Sequence, residues 1–189
     1  MEIFTIGHSV LANTEFENLL KQNNIDILID VRSVPYSKQC PQFNRDFLPA
    51  RMKQTGIRYG YMGNTLGARY SQKELLFDNG QVNFLSVRKS KEFNNSIQRL
   101  MNEIKDYKIC LMCSEADPLS CHRFGLIAAD LTEKEVDVKH IYQDKVLEQN
   151  ILENMLICKF KKKIDTLMSN ESPLAQAYKL LNYEIGFKN

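Results

Sequence analysis

The sequence predicts an α/β fold: a mostly parallel sheet flanked by helices, followed by a C-terminal helical extension. Three observations predict it. Short apolar runs bounded by turn residues, at Ile3–Ile6, Ile25–Val31, Ile57–Met62, Ile109–Cys113 and Val136–Tyr142, read as strands. Stretches of helical period separate most of them, which is the alternation of a βαβ chain with right-handed crossovers. Polar clusters also follow the apolar runs, where open α/β sheets bind their ligands.

Taken in order, Ile3–Ile6 ends in Gly7-His8-Ser9. Phe16, Leu19 and Leu20 give a helix, with Thr14 as expected N-cap and Glu17 completing a capping box. Ile25–Val31 is the second strand, and Arg32-Ser33-Val34-Pro35 turns the chain away because Pro cannot donate to a ladder. Tyr36–Phe43 reads as irregular. Asn44–Lys53 reads as a helix capped by Asn44 and ended by Gly56, although Pro49 lies inside it.

Ile57–Met62 follows as a strand, then a turn at Gly63–Gly67, and Phe77–Phe84 carries no clear pattern. Ser90–Ile104 is helical, with Phe93, Ile97, Leu100, Met101 and Ile104 on one face. Ile109–Cys113 is apolar throughout, as a strand buried on both faces should be. The loop Ser114–Ser120 leads to Cys121-His122-Arg123 and a helical run, Phe124–Leu131. Val136–Tyr142 is the last expected strand, and from Lys145 the chain reads as helix. A basic cluster, Lys159-Phe160-Lys161-Lys162-Lys163, reads first as a solvated face, and a terminal helix covers Leu174–Ile185. The arrangement is Rossmann-like, three-layered, with residues 1–158 as the α/β domain and 159–189 as the extension.

Composition narrows the function classes. At 189 residues, 43% hydrophobic and 25% charged, the chain can bury a real core in one domain. A net charge of +2 does not by itself argue for nucleic acid. No apolar run approaches the ~18 residues of a membrane span, and the N-terminus reads as a strand rather than a signal peptide. Five cysteines, with Cys110, Cys113 and Cys158 in apolar surroundings, suggest reduced thiols in a cytoplasmic protein.

Chemistry is expected where strand ends meet. If the first, second and fourth runs are parallel, Gly7-His8-Ser9, Asp30-Val31-Arg32-Ser33 and Cys113-Ser114-Glu115 line one edge of the sheet. Asp30 and Arg32 share a side of their strand. Arg123, near a helix start, suits an anion. Cys121 beside His122 and Arg123 is biased toward thiolate, while Glu115 and Asp117 oppose that. No G-x-G-x-x-G, phosphate-binding P-loop, C-x-x-C or G-x-S-x-G occurs. The spacing of Cys113, Cys121, His122 and His8 matches no common zinc pattern, so no metal or cofactor is expected.

The stretches Thr5–Ser9, Ile29–Lys38, Pro41–Asn44, Leu66-Gly67 and Cys113–Arg123 resemble, in order, the prokaryotic family called domain of unknown function 488. The resemblance spans about Met1 to Glu153. It implies that His8, Ser9, Asp30, Arg32, Pro35, Cys113, Glu115, Cys121, His122 and Arg123 belong to shared motifs gathered at one edge of an α/β fold. It implies no reaction. A weaker similarity links Asp30-Val31-Arg32 and the Cys113 corner to rhodanese-type sulfurtransferases, although the loop here is acidic. The step from Cys113 to Arg123 is longer than the tyrosine-phosphatase loop.

The residues lead to an expected enzyme for an anionic substrate, a small molecule, a nucleotide or nucleic acid. Ser9, Arg32, Ser33 and Arg123 would bind it, and His8, Asp30, Cys113, Glu115, Cys121 and His122 would supply catalysis. Two alternatives stand beside it: a non-catalytic nucleic-acid-binding module, and a rhodanese-like thiol or sulfur-transfer protein.

Overall fold

The central strands are buried on both faces, and their alternating side chains build the core in two layers. In the computed structural model, which describes residues 1–165 and 169–188, the described residues form a six-stranded sheet. Its strands are β1 (Glu2–Gly7), β2 (Ile27–Asp30), β3 (Arg58–Tyr61), β4 (Ile109–Cys113), β5 (Asp137–Ile141) and β6 (Val146–Glu148). Their spatial order is β3-β2-β4-β1-β5-β6, parallel except for β6, which runs antiparallel to β5. Phe4, Ile6, Leu28, Cys110 and Met112 face one side. There they meet α1 (Asn13–Gln22) and α2 (Leu48–Thr55) through Phe16, Leu20, Leu48 and Met52. Ile3, Ile29, Val31, Leu111 and Cys113 face the other.

The second layer comprises α3 (Gly63–Leu66), α4 (Phe84–Lys89), α5 (Lys91–Glu103), a π-helical turn at Arg123–Ala128, and α6 (Ala129–Glu133). Two more helices, α7 (Gln149–Phe160) and α8 (Pro173–Ile185), bury Leu152, Leu156, Ala177 and Leu181 against Leu119 and Phe124. No helix among the described residues is long and apolar enough to cross a membrane.

Several sequence expectations shift. No capping box forms at α1: Ala12 precedes the helix, and neither Thr14 nor Glu17 caps it. The expected Asn44–Lys53 helix starts instead at Leu48, because Pro49 fits the first turn, where its missing N–H costs no bond. Gly56 ends it in the left-handed conformation at φ 81°. The Gly63–Gly67 turn is the short α3, and the indistinct Phe77–Phe84 stretch is a tight turn that bridges Leu76 to Val82 before α4.

Val146–Leu147 was expected to be helical. It is the antiparallel edge strand β6, because a three-residue strand is too short to display its own period. Cys158 lies exposed on α7 rather than in the core. Of the basic cluster, Lys159 pairs with Glu184 and Lys161–Lys163 face solvent.

Crossovers from β1 and β2 pack α1 and α2 on one layer, and the crossover from β4 packs its helix on the other. The connections therefore diverge between β4 and β1, the position where α/β sheets place their sites. That boundary is sealed by backbone bonds: His8 N donates to Cys113 O at 2.9 Å, and Ser9 N to Ser114 O at 2.9 Å. Gly7 is required there, since a Cβ would fall 1.7 Å from Glu115 O in the loop crossing above it.

Candidate functional site

The polar strand ends do converge on one edge of the sheet, but they divide into two clusters on opposite faces. Strand alternation decides the division: Asp30 and Arg32 follow Leu28 toward α1 and α2, whereas Cys113 follows Leu111 toward α5 and α6.

The first cluster is a closed hydrogen-bond network. Arg32 Nε donates to Asp30 Oδ1 at 2.9 Å, and its Nη2 donates to Asp30 Oδ2 at 2.6 Å and to Phe43 O at 2.7 Å. Its Nη1 lies 3.0 Å from His8 Nε2. A guanidinium can only donate, so His8 Nε2 accepts, and the ring carries its proton on Nδ1, which donates to Ser9 O at 2.9 Å. His8 is therefore neutral. Burial pushes its pKa down to about 4, with the Arg32 charge adding to the effect, and the ring stacks on Phe43.

Tyr59 on β3 donates to Asp30 Oδ2 at 2.9 Å, and burial together with the Asp30 charge pushes its phenol up. Ser9 at the rim has a left-handed backbone, φ 44°. Its carbonyl also accepts from Cys40 Sγ at 3.2 Å. Ser33, on the β3 side, accepts through Oγ from Arg69 N at 3.0 Å.

Cys113, Glu115, Cys121, His122 and Arg123 form the second cluster. Cys113 closes β4, and the π-helical turn begins just after Cys121-His122. Cys113 Sγ, Cys121 Sγ and His122 Nδ1 lie within 4.8 Å of one another, all buried. His122 Nδ1 stands 3.8 Å from each sulfur, and its Nε2 lies 3.2 Å from Val31 O. A carbonyl only accepts, so Nε2 carries a proton and Nδ1 is the atom turned to the thiols. Cys121 Sγ lies 3.0 Å from Glu115 Oε2, while the Glu115 residue itself is exposed.

Arg123 is fully buried, and its Nη1 and Nη2 donate to Glu115 O at 2.6 Å and Ala116 O at 2.9 Å, while Nε has no acceptor. It clips the loop in place. Neither guanidinium faces solvent, so the anion-holding geometry expected of Arg32 and Arg123 is occupied by protein acceptors.

The two thiols differ in proton affinity. Burial opposes ionisation of Cys121, but the Cys113 thiol donating to it and the Arg123 and His122 groups outweigh burial and hold it well below the usual thiol range. Cys113, donating to Cys121 and buried, is held well above. Although the residue is exposed, desolvation of its inward-turned carboxyl and the neighbouring Cys121 sulfur raise Glu115. Burial alone would lower His122, yet the facing Cys121 sulfur and Glu115 carboxylate raise it. The cluster can therefore store a thiolate beside a carboxyl proton.

Tyr59 and Cys40 were not anticipated from the sequence. Tyr59 becomes visible only once β3 is known to flank β2, and Cys40 only once its loop is placed beside Ser9. Phe43 lies within the Pro41–Asn44 motif, but its aromatic contact with His8 depends on the fold. A hollow of about 150 Å³ at the strand ends is lined by Gly7, Ser9, Ala116, Ile141, Tyr142 and Gln143, and neither sulfur reaches it.

Among solved structures, the chain is similar to a DUF442 protein from Shewanella putrefaciens CN-32, described as a candidate phosphatase. Identity is 11%, with 97% of this chain and 87% of that one covered at a TM-score of 0.36, too low to carry functional weight. No curated protein matches. The family model Domain of unknown function DUF488 matches residues 13–129, the span that runs from α1 through Asp30 and Arg32 to the Cys121-His122-Arg123 corner, and the chain belongs to that family.

Proposed function

We propose that the protein is a thiol-dependent oxidoreductase in which Cys121 is the reacting sulfur and Cys113 the resolving one. The observation that carries this reading is the 3.0 Å contact of Cys121 Sγ with the carboxyl of an otherwise exposed Glu115, beside a second thiol. The substrate class is a small disulfide or peroxide, X–Y, reaching the sulfur past Glu115. Cys121 thiolate attacks X, the X–Y bond breaks, and Y leaves with the proton held by Glu115. The Cys113 thiol then attacks the Cys121–X sulfur. A Cys113–Cys121 disulfide forms and X leaves with the Cys113 proton. Two thiols are oxidised, X–Y is reduced to HX and HY, and two equivalents of an external thiol, themselves oxidised to a disulfide, restore the dithiol.

Geometry supports the second step: the sulfurs, within 4.8 Å, must close to the ~2.05 Å of a disulfide. This reading assigns Arg123 to positioning, through the Glu115 and Ala116 carbonyls, and leaves the His8–Arg32–Asp30 network as a brace. Treating the reduced protein with one equivalent of peroxide and mapping peptides without reductant tests it. A Cys113–Cys121 link is expected, and in Cys113→Ser an adduct trapped at Cys121. Modification confined to the exposed Cys158 would sink the proposal.

A further inference from the structure

We infer that the reduced chain binds one zinc-class metal ion through Cys113 Sγ, Cys121 Sγ and His122 Nδ1. This site goes beyond the thiol chemistry above and requires none of it, because it stands on the donor geometry alone.

The spacing of the donors is the first support. All three atoms fall within 4.8 Å of one another, and the nitrogen is 3.8 Å from each sulfur. A tetrahedral ion with Zn–S of about 2.3 Å and Zn–N of about 2.0 Å separates adjacent sulfur and nitrogen ligands by about 3.5 Å. The two sulfurs of such a site stand about 3.8 Å apart, so side-chain motion of at most about 1 Å closes the shell. The 3.8 Å separations are long for direct N–H to sulfur bonds and close to what a shared ion would set.

Ring orientation is the second. His122 Nε2–H donates to Val31 O, which turns the Nδ1 lone pair of the neutral ring toward the two sulfurs. A metal-bound histidine is held in this way, its remote N–H anchored on a backbone carbonyl. The Arg123 backbone N–H, 3.5 Å from Cys121 Sγ, supplies a donor to the same sulfur.

Charge is the third. With its protons released on binding, the site presents two thiolates and the Glu115 carboxylate, whose three negative charges balance a divalent ion together with the buried Arg123 guanidinium. Two thiolates and an imidazole select zinc over magnesium or calcium. The fourth position falls to Glu115, the nearest carboxylate, or to water, and the exposed Glu115 loop is the route in. His8, the other imidazole weighed from the sequence, is tied to Arg32 and Ser9 and takes no part. The spacing matches no common zinc pattern because one ligand ends a strand and two open a helical turn across the intervening loop.

Both sulfurs coordinate as thiolates, their protons passing to solvent, and cannot form a disulfide while the ion is bound. The experiment titrates reduced, chelator-treated and desalted full chain with Zn2+ against a chromophoric chelator, and separately with Co2+ alone. One ion per chain, a thiolate-to-cobalt charge-transfer band, and alkylation of Cys113 and Cys121 slowed at least about tenfold by Zn2+ are expected, with Cys158 unaffected. Cys158→Ser should keep the stoichiometry of one, and His122→Gln should weaken binding at least about tenfold. Absence of the charge-transfer band, or a stoichiometry that drops in Cys158→Ser, would overturn the site. Zinc binding without disulfide formation in the ion-free chain sinks only the oxidation reading, and disulfide formation without ion binding sinks only this one.

Discussion

His8 follows the end of β1 and His140 lies beside Thr5 on the neighbouring β5, and burial treats them alike. His140 donates through Nε2 to Gln149 Oε1 at 2.6 Å and accepts through Nδ1 from Thr5 Oγ1 at 2.8 Å, so it too is neutral. Burial lowers both rings to about 4, below the 6.5 of the free side chain. The sign follows from linkage: between these two values the unfolded chain takes up protons that the folded chain refuses. Stability is therefore full above about pH 6.5 and declines as pH falls toward 4, on the order of 3 kcal/mol per ring at the acid end. Titration of the imidazole proton resonances is expected to give both rings midpoints near 4. A midpoint above 6 for either would contradict its hydrogen-bond assignment.

Much of the site was legible residue by residue. Cys113, Glu115, Cys121, His122 and Arg123 are close in the chain, so a strand followed by a loop and a helix start could only bring them together. His8, Asp30 and Arg32 were legible as strand ends. The face each one takes was not, because it depends on the phase of alternation in β1, β2 and β4 and on which layer each helix covers. For the same reason, a single crevice was expected where the structure has two clusters back to back.

Among elements, the turn at Arg123–Ala128 bears most on chemistry. Its residues read as an ordinary helix, since the apolar pattern of Phe124, Leu126, Ile127 and Leu131 cannot distinguish a π-turn from an α-turn. Both Phe124 N and Gly125 N bond Cys121 O, which fixes the corner that carries the sulfur. The loop opposite is fixed by Gly7 and Arg123 together. Gly7→Ala must push Glu115 away from β1, and overpacking of this kind costs about 1–3 kcal/mol. Because the displaced residue touches Cys121, the variant is expected both to lose thermal stability and to change the alkylation rate of Cys121. Unchanged values for both would show that the loop yields freely.

At the scale of the whole molecule, the order β3-β2-β4-β1-β5-β6 places β4 between β2 and β1, both of which come far earlier in the chain. β1 and β2 do not pair with each other, and each bonds β4 instead. During N-to-C synthesis, the first two strands must therefore wait, edges bare, until Ile109–Cys113 arrives to join them. A fragment ending at Tyr107 is expected to show no cooperative urea transition, and a sharp one would contradict this order of assembly. Cys113 is the last residue of the strand that closes the gap. Its disappearance from alkylation during refolding would thus time the closure of the sheet, and newly made chains would carry unprotected thiols until that moment.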